Sequence, residues 1–237
     1  MIESVNNRRI KEYAKLNDKK YRGQTNLFLI EGEHLIEEAL KKDLVKDIFI
    51  IEGEVFDYEN GEYVSYAVMK KLSALTNPPK ILAVCQKPNQ QEIKGNIIIL
   101  DDIADPGNLG TIIRSAVAFN YETVILSPNT VDVYNPKVIR ATEGMLFSIN
   151  VIIADLKEKI NKLKEEGYFI IGSDVNTGKE PEKITQKHAL IIGSEANGIS
   201  QELKDFIDKN LTIKMNPLCE SLNAAISASI LMDRLSN

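Results

Sequence analysis

Apolar positions along this chain follow two alternating rhythms. Short, nearly continuous apolar runs alternate with stretches whose apolar residues recur every three or four positions, the signatures of buried strands and amphipathic helices. In the first part, LFLIEG (27–32), VKDIFII (45–51) and ILAVCQ (81–86) read as strands. EHLIEEALKK (33–42) and VMKKLSAL (68–75) read as helices, the second closed by the turn TNPPK. The polar stretch KPNQQEIKG (87–95) carries Pro88 and Gly95 and reads as a linker, predicting domains over 1–92 and 96–237. Beyond it come strand NIIILDD, a helix over 108–119, strand TVILS, a helix near 136–142, strand FSINVII and helix DLKEKINKLKEEG. YFIIGSD, HALIIG and LTIKM read as further strands, with a helix SQELKDFIDK and a last helix from about 221. Such alternation predicts an α/β fold with a mainly parallel sheet covered on both faces.

Composition adds class and compartment. The 237 residues, 43% hydrophobic and 27% charged, suffice for one large or two modest cores. The polar start MIESVNNRRI and the shortness of every apolar run argue for a soluble protein, no membrane partner and a cytoplasmic location. Two cysteines, Cys85 and Cys219, and two histidines, His34 and His188, form no pattern with metal-ligand spacing, so free thiols and no metal are expected. A net charge of −5 argues against a protein that coats nucleic acid by bulk charge. Residues 1–22, however, hold seven basic and three acidic side chains, a net of +4. A solvated helix face is the ordinary account of such a run, with phosphate contact as the alternative.

Three stretches exceed what folding requires. DPGNLGTIIRSA (105–116) makes a turn, offers Asn108 as a helix cap and, with the next residue, buries Ile112, Ile113, Ala116 and Val117. Its surplus is Arg114, flanked on one helical face by Gly110 and Ala118, where a backbone or substrate can approach. Gly107-x-x-Gly110 is neither a dinucleotide fingerprint nor a P-loop. IIGSEANGIS (191–200) runs from a buried strand into a loop where Gly193, Gly198 and the capping Ser200 serve the turn and Glu195 is left over. IKMNPLCESLNAAISASILMDRL (213–235) places Ser221, a candidate N-cap, and Asn223 at the head of a helix with a small-residue face suited to close packing, within the chain or across a dimer.

In order and spacing, NLGTIIR (108–114), GSEANGIS (193–200) and IKMNPLCESLNAAISAS (213–229) resemble the three motifs of the SpoU (TrmH-type) RNA 2′-O-methyltransferases of the SPOUT superfamily. VIRATEGMLFSINV (138–151) is similar to a further family segment, with Glu143 where the family more often carries an apolar or small residue. FLIEGEHLIEEAL and LTNPPKILAVCQ resemble the small substrate-binding domain that many members place in front. The resemblance implies a C-terminal trefoil-knotted methyltransferase domain behind a small α/β RNA-substrate-binding domain. It also implies S-adenosylmethionine held largely by main-chain groups, with Gly193, Ile213 and Leu222 at cofactor positions and Arg114, Asn108, Glu195, Ser221 and Asn223 at active-site positions. The implied reaction is methyl transfer to a ribose 2′-oxygen, with large-subunit ribosomal RNA favoured over transfer RNA by the front domain, and the implied assembly is a homodimer through the C-terminal domain. The alternatives are a transfer-RNA enzyme and a catalytically silent RNA-binding protein of the same fold. Because guanidinium holds its proton in nearly every setting, Arg114 is expected to orient and stabilise the reacting oxygen, leaving the final proton acceptor open.

Overall fold

The structure is a computed structural model that describes residues 1–174 and 178–236. Contacts divide the chain into two compact units, Met1–Asn89 with Asp132–Phe147, and Gln90–Val131 with Ser148–Asn237.

In the first unit, α1 (Arg8–Ala14), a 3-10 turn (Lys15–Asn17) and α2 (Lys19–Thr25) precede β1 (Leu27–Glu31), α3 (Glu33–Leu40) and β2 (Val45–Ile51). β3 (Gly61–Val64), α4 (Tyr66–Leu72) and β4 (Ile81–Gln86) complete that stretch. The sheet order is β1-β4-β2-β3, antiparallel except for the β2–β3 pair. Ile10, Tyr13 and Leu16 bury against Phe49, Val68, Met69, Leu72 and Leu82.

The second unit contains β5 (Asn96–Leu100), α5 (Pro106–Ala118) and β6 (Tyr121–Leu126). The helix α6 (Pro136–Ala141) follows in the chain, yet the segment Asp132–Phe147 that holds it belongs to the first unit, although the division at 92–96 leaves it with the second half. Its anchors are visible: Arg22, 3% exposed, is ion-paired with Asp132 at 2.5 Å, Arg140 with Glu31 at 2.9 Å, and the Phe28 and Tyr134 ring centres lie 4.8 Å apart. Glu143 and Gly144 close α6 with left-handed φ values of 49° and 83°.

The second unit continues with β7 (Asn150–Ile153), α7 (Leu156–Glu165), β8 (Phe169–Ser173), β9 (His188–Ile192), α8 (Gln201–Lys204), β10 (Lys209–Leu211) and α9 (Ala224–Ser236). Its six strands run in the order β10-β8-β9-β5-β6-β7, and every pairing is parallel. The apolar runs of β5 and β9 are buried end to end, as strands covered on both faces require. Asp105 Oδ1 accepts from the Asn108 amide at 2.8 Å, so Asp105 caps α5, with Pro106 pre-setting the first turn; Asn108 does not cap it. SQELKDFIDK is helical only over α8: Phe206 and Ile207 turn onto the core, and Asp208 bonds the Ile170 amide at 2.9 Å. Among the described residues no helix is long and apolar enough to cross a membrane.

Candidate active site

The carboxyl ends of parallel strands are where an α/β sheet leaves room for a ligand. Here β9 runs directly into Gly193, and a side chain at that position would put its Cβ 2.0 Å from the Gly198 carbonyl carbon and 2.2 Å from the Ile199 nitrogen. Only glycine allows this approach. Ser194 and Gly198 exchange two backbone hydrogen bonds, 3.2 and 2.9 Å, and Gly198 takes a left-handed φ of 65°, so the loop is a tight reversal. Asp101, at the end of β5, accepts the Ser200 amide at 2.7 Å and fixes the far side of the loop. Ser200 occupies the N-cap of α8, but its hydroxyl makes no cap bond.

The loop walls a cavity of about 760 Å³. Gly193, Ile213 and Leu222, the three expected cofactor positions, all line it. So do Glu195, Ser221 and Asn223, while Leu211, Met215 and Leu231 add apolar lining. Ser173, Asp174 and Asn210 are lining residues that the sequence reading missed; their signal is position, at or beside the ends of β8 and β10.

Polar residues of the three stretches meet beside the cavity: Glu195 and Asn223 line it, and Asn108, outside the lining, bonds to both. Asn223 Oδ1 accepts the amides of Ala225 at 2.9 Å and Ile226 at 3.3 Å, so Asn223 caps α9, a place the sequence also offered to Ser221. With its oxygen so used, the Asn223 amide donates to Asn108 Oδ1 at 2.9 Å. The Asn108 amide in turn donates to the Glu195 carboxylate. Residues 108, 195 and 223 thus form one chain of hydrogen bonds whose directions are set by the α9 backbone. Ser221 stays exposed, its carbonyl accepting from the Cys219 thiol at 3.2 Å.

Arg114 lies outside this chain. It is exposed on α5, six residues or roughly 9 Å along the axis from Asn108, and among the described residues it has no ion-pair partner. Its guanidinium is free for an incoming anion. Behind it, Ser115 and Ser229 share a hydrogen bond of 2.8 Å between α5 and α9, and Ala225 and Ala228 are buried, so the small-residue face of α9 is used inside the chain.

Residues 95–233 match the profile of the SpoU rRNA methylase family. The chain belongs to that family. As a SpoU methylase it is an RNA methyltransferase dependent on S-adenosylmethionine. Residues 7–83 match a second profile, the MRM3-like substrate binding domain. Among relatives of this SpoU methylase is the 23S rRNA (guanosine(2553)-2′-O)-methyltransferase RlmP of Bacillus subtilis (strain 168), 37% identical over 99% of this chain and 98% of the relative. A solved RNA 2′-O ribose methyltransferase superposes with a TM-score of 0.81 at 28% identity, covering 98% of this chain and 96% of the other. The SpoU methyltransferase AviRb from Streptomyces viridochromogenes, solved with S-adenosylmethionine, shares the fold at a TM-score of 0.85, with 24% identity and 97% of each chain covered.

Proposed function

We propose that this SpoU methylase transfers a methyl group from S-adenosylmethionine to the 2′-oxygen of a ribose in large-subunit ribosomal RNA. The observation that carries the reading is the hydrogen-bonded chain Glu195–Asn108–Asn223, which gathers three distant stretches beside one cavity. RlmP's substrate supports ribosomal over transfer RNA.

The cavity suits the cofactor. Its volume falls in the roughly 300–1,000 Å³ range of small-ligand sites, and glycines at 193 and 198 leave main-chain rather than side-chain atoms at its wall. Gly193, Ile213 and Leu222 hold the cofactor, in large part through main-chain groups. When bound, S-adenosylmethionine supplies an electrophilic methyl group on a positively charged sulfur.

The remaining chemistry belongs to the chain. A neutral hydroxyl is a poor nucleophile, and Arg114 is no base, since guanidinium stays protonated. Arg114 pairs with an RNA phosphate, orients the 2′-hydroxyl and stabilises the negative charge that grows on its oxygen. Asn108 and Ser221 position the ribose and phosphate. Glu195 and Asn223 hold the loop and its polar neighbours in register. A silent RNA-binding protein could use Arg114 for phosphate contact but has no need of the cavity or of Glu195, Ser221 and Asn223 beside it, and a titration with S-adenosylmethionine separates the two readings.

Residues 1–92 are the RNA-substrate-binding domain and 96–237 the catalytic domain, whose C-terminal part is a trefoil knot; the match at 7–83 supports the first assignment. The protein acts in the cytoplasm as a homodimer through the catalytic domain, without a metal. Leu218 and Ile226, 94% and 52% exposed, support that interface. Arg114→Ala tests the central role. Transfer to RNA should fall by at least about 100-fold, the scale on which loss of one charge-stabilising donor acts, while S-adenosylmethionine affinity stays at the wild-type value. Collapse of cofactor affinity in a folded variant contradicts the assignment.

A further inference from the structure

The leading helices carry seven basic side chains, and the structure sorts them into two groups. Arg9 pairs with Glu62 and, at 3.7 Å, with Asp47, and its guanidinium lies 5.5 Å from the Phe49 ring centre. Arg22 is held by Asp132 and also donates to the Leu16 carbonyl at 2.6 Å. Lys15 pairs with Glu12 at 2.9 Å and sits 5.4 Å from the Tyr21 ring centre. These three have partners within their own unit. Arg8, Lys11, Lys19 and Lys20 are exposed, and among the described residues none has an ion-pair partner.

Folding accounts for where these four point but not for their charge. Ile10, Tyr13 and Leu16 take the buried side of α1 and the following turn, leaving 8, 11 and 15 outward at three- and four-residue spacing. Asp18 caps α2 and starts it with Lys19 and Lys20; Asn7 caps α1 and starts it with Arg8 and Arg9. The first turn of a helix favours anionic side chains, and neither helix has an acidic residue there. Four unpaired cations on two short helices of an acidic protein form a local field that the net charge of −5 conceals.

We propose that Arg8, Lys11, Lys19 and Lys20 form a phosphate-contacting face that binds the RNA substrate's backbone without reading its bases. This inference rests on the reading of the protein as an RNA methyltransferase. Each contact releases condensed counterion, so the dependence of log affinity on log salt should report how many of the four engage.

The test replaces all four by Gln in the full chain and measures binding to a transcript of large-subunit ribosomal RNA from low to high salt. The salt slope should flatten by about 3 to 4, at roughly 0.7–0.9 per cation, and affinity near 0.15 M salt should fall on the order of 100- to 1,000-fold. S-adenosylmethionine affinity and the turnover rate at saturating RNA should not change. A control with the same charge change, K41Q, K42Q, K46Q and K70Q, should keep the wild-type slope; all four are exposed cations of the same unit. An unchanged slope in the first variant overturns the proposal and points instead to an acidic protein partner. An equal fall in the control also overturns it, since bulk charge then accounts for the effect. Failure of the methyltransferase reading shows separately, as absent methyl transfer by the wild type.

Discussion

Gly193→Ala puts the loop assigned here to the cofactor, residues 193–198, under direct strain. The new Cβ would stand 2.0 Å from the Gly198 carbonyl carbon and 2.2 Å from both the Gly198 oxygen and the Ile199 nitrogen. All three are backbone atoms, so no side chain can swing away. To reach even 3.0 Å, the loop must retreat by at least about 1 Å, the difference between the two separations, and the Ser194–Gly198 bonds at 3.2 and 2.9 Å cannot both survive. Overpacking of this kind costs about 1–3 kcal/mol. Expressed at the cavity wall, that is roughly a 5- to 150-fold loss of S-adenosylmethionine affinity, at about 1.4 kcal/mol per tenfold. Isothermal titration of the variant reads it. Gly23→Ala is the control, because no atom lies within 4 Å of the added carbon and its φ lies outside the left-handed region; cofactor affinity there should equal wild type. A dissociation constant for Gly193→Ala within about twofold of wild type, in a folded protein, would refute the assignment of this loop to the cofactor.

Two other outcomes follow from the same structure. Light scattering should give twice the 26.5 kDa chain mass, and Ile226→Glu should shift the protein toward monomer; a wild-type monomer that still methylates RNA contradicts the dimer. Burial lowers the His188 pKa below its ordinary 6.5, and its Nε2 shares a hydrogen bond of 2.8 Å with the Tyr121 hydroxyl. As pH falls below that ordinary value, the unfolded chain takes up a proton that the folded chain resists, so stability is lost down to the lower folded pKa. Urea titrations should show this acid limb, and it should vanish in His188→Gln; an unchanged limb in that variant assigns the loss elsewhere.

The parallel sheet of the second unit was legible because a strand buried on both faces must be nearly continuous in apolar residues, and after Asn96 and His188 the strands β5 and β9 are. The first sheet was less so. Its order β1-β4-β2-β3 depends on which strands pair across the chain, and β3, GEYV, is too short and mixed to announce itself. Nor did local pattern show Asp132–Phe147 joining the first unit, since that depends on Asp132 and Arg140 finding Arg22 and Glu31, more than 100 positions away in sequence.

Caps were misplaced by a few residues for a local reason. Asn108 and Ser221 are good cap types, but Asp105 before Pro106 and Asn223 before Ala224 hold the geometry. Asn108 is thereby released to bridge Glu195 and Asn223, which no spacing rule could foresee. Only the resemblance of the three stretches to family motifs set those residues side by side. LTIKM lies in β10 only at Leu211; the Thr212 amide bonds the Lys179 carbonyl at 2.9 Å in an isolated bridge, and its hydroxyl bonds the Asp174 carbonyl at 2.7 Å.

The most direct test of the central claim concerns the atom that receives the methyl group. Cys219 has no histidine or cation beside it among its described contacts, and Cys85 is buried with its thiol pKa pushed up, so neither suits attack on a base ring. Arginine with Asn and Ser suits a phosphate and a ribose. Large-subunit RNA methylated by the protein should resist alkaline cleavage at one phosphodiester, and the same RNA with a single 2′-deoxy substitution at that nucleotide should accept no methyl group. Methylation of the deoxy substrate, or recovery of a methylated base after complete hydrolysis, would contradict the assignment of the ribose 2′-oxygen.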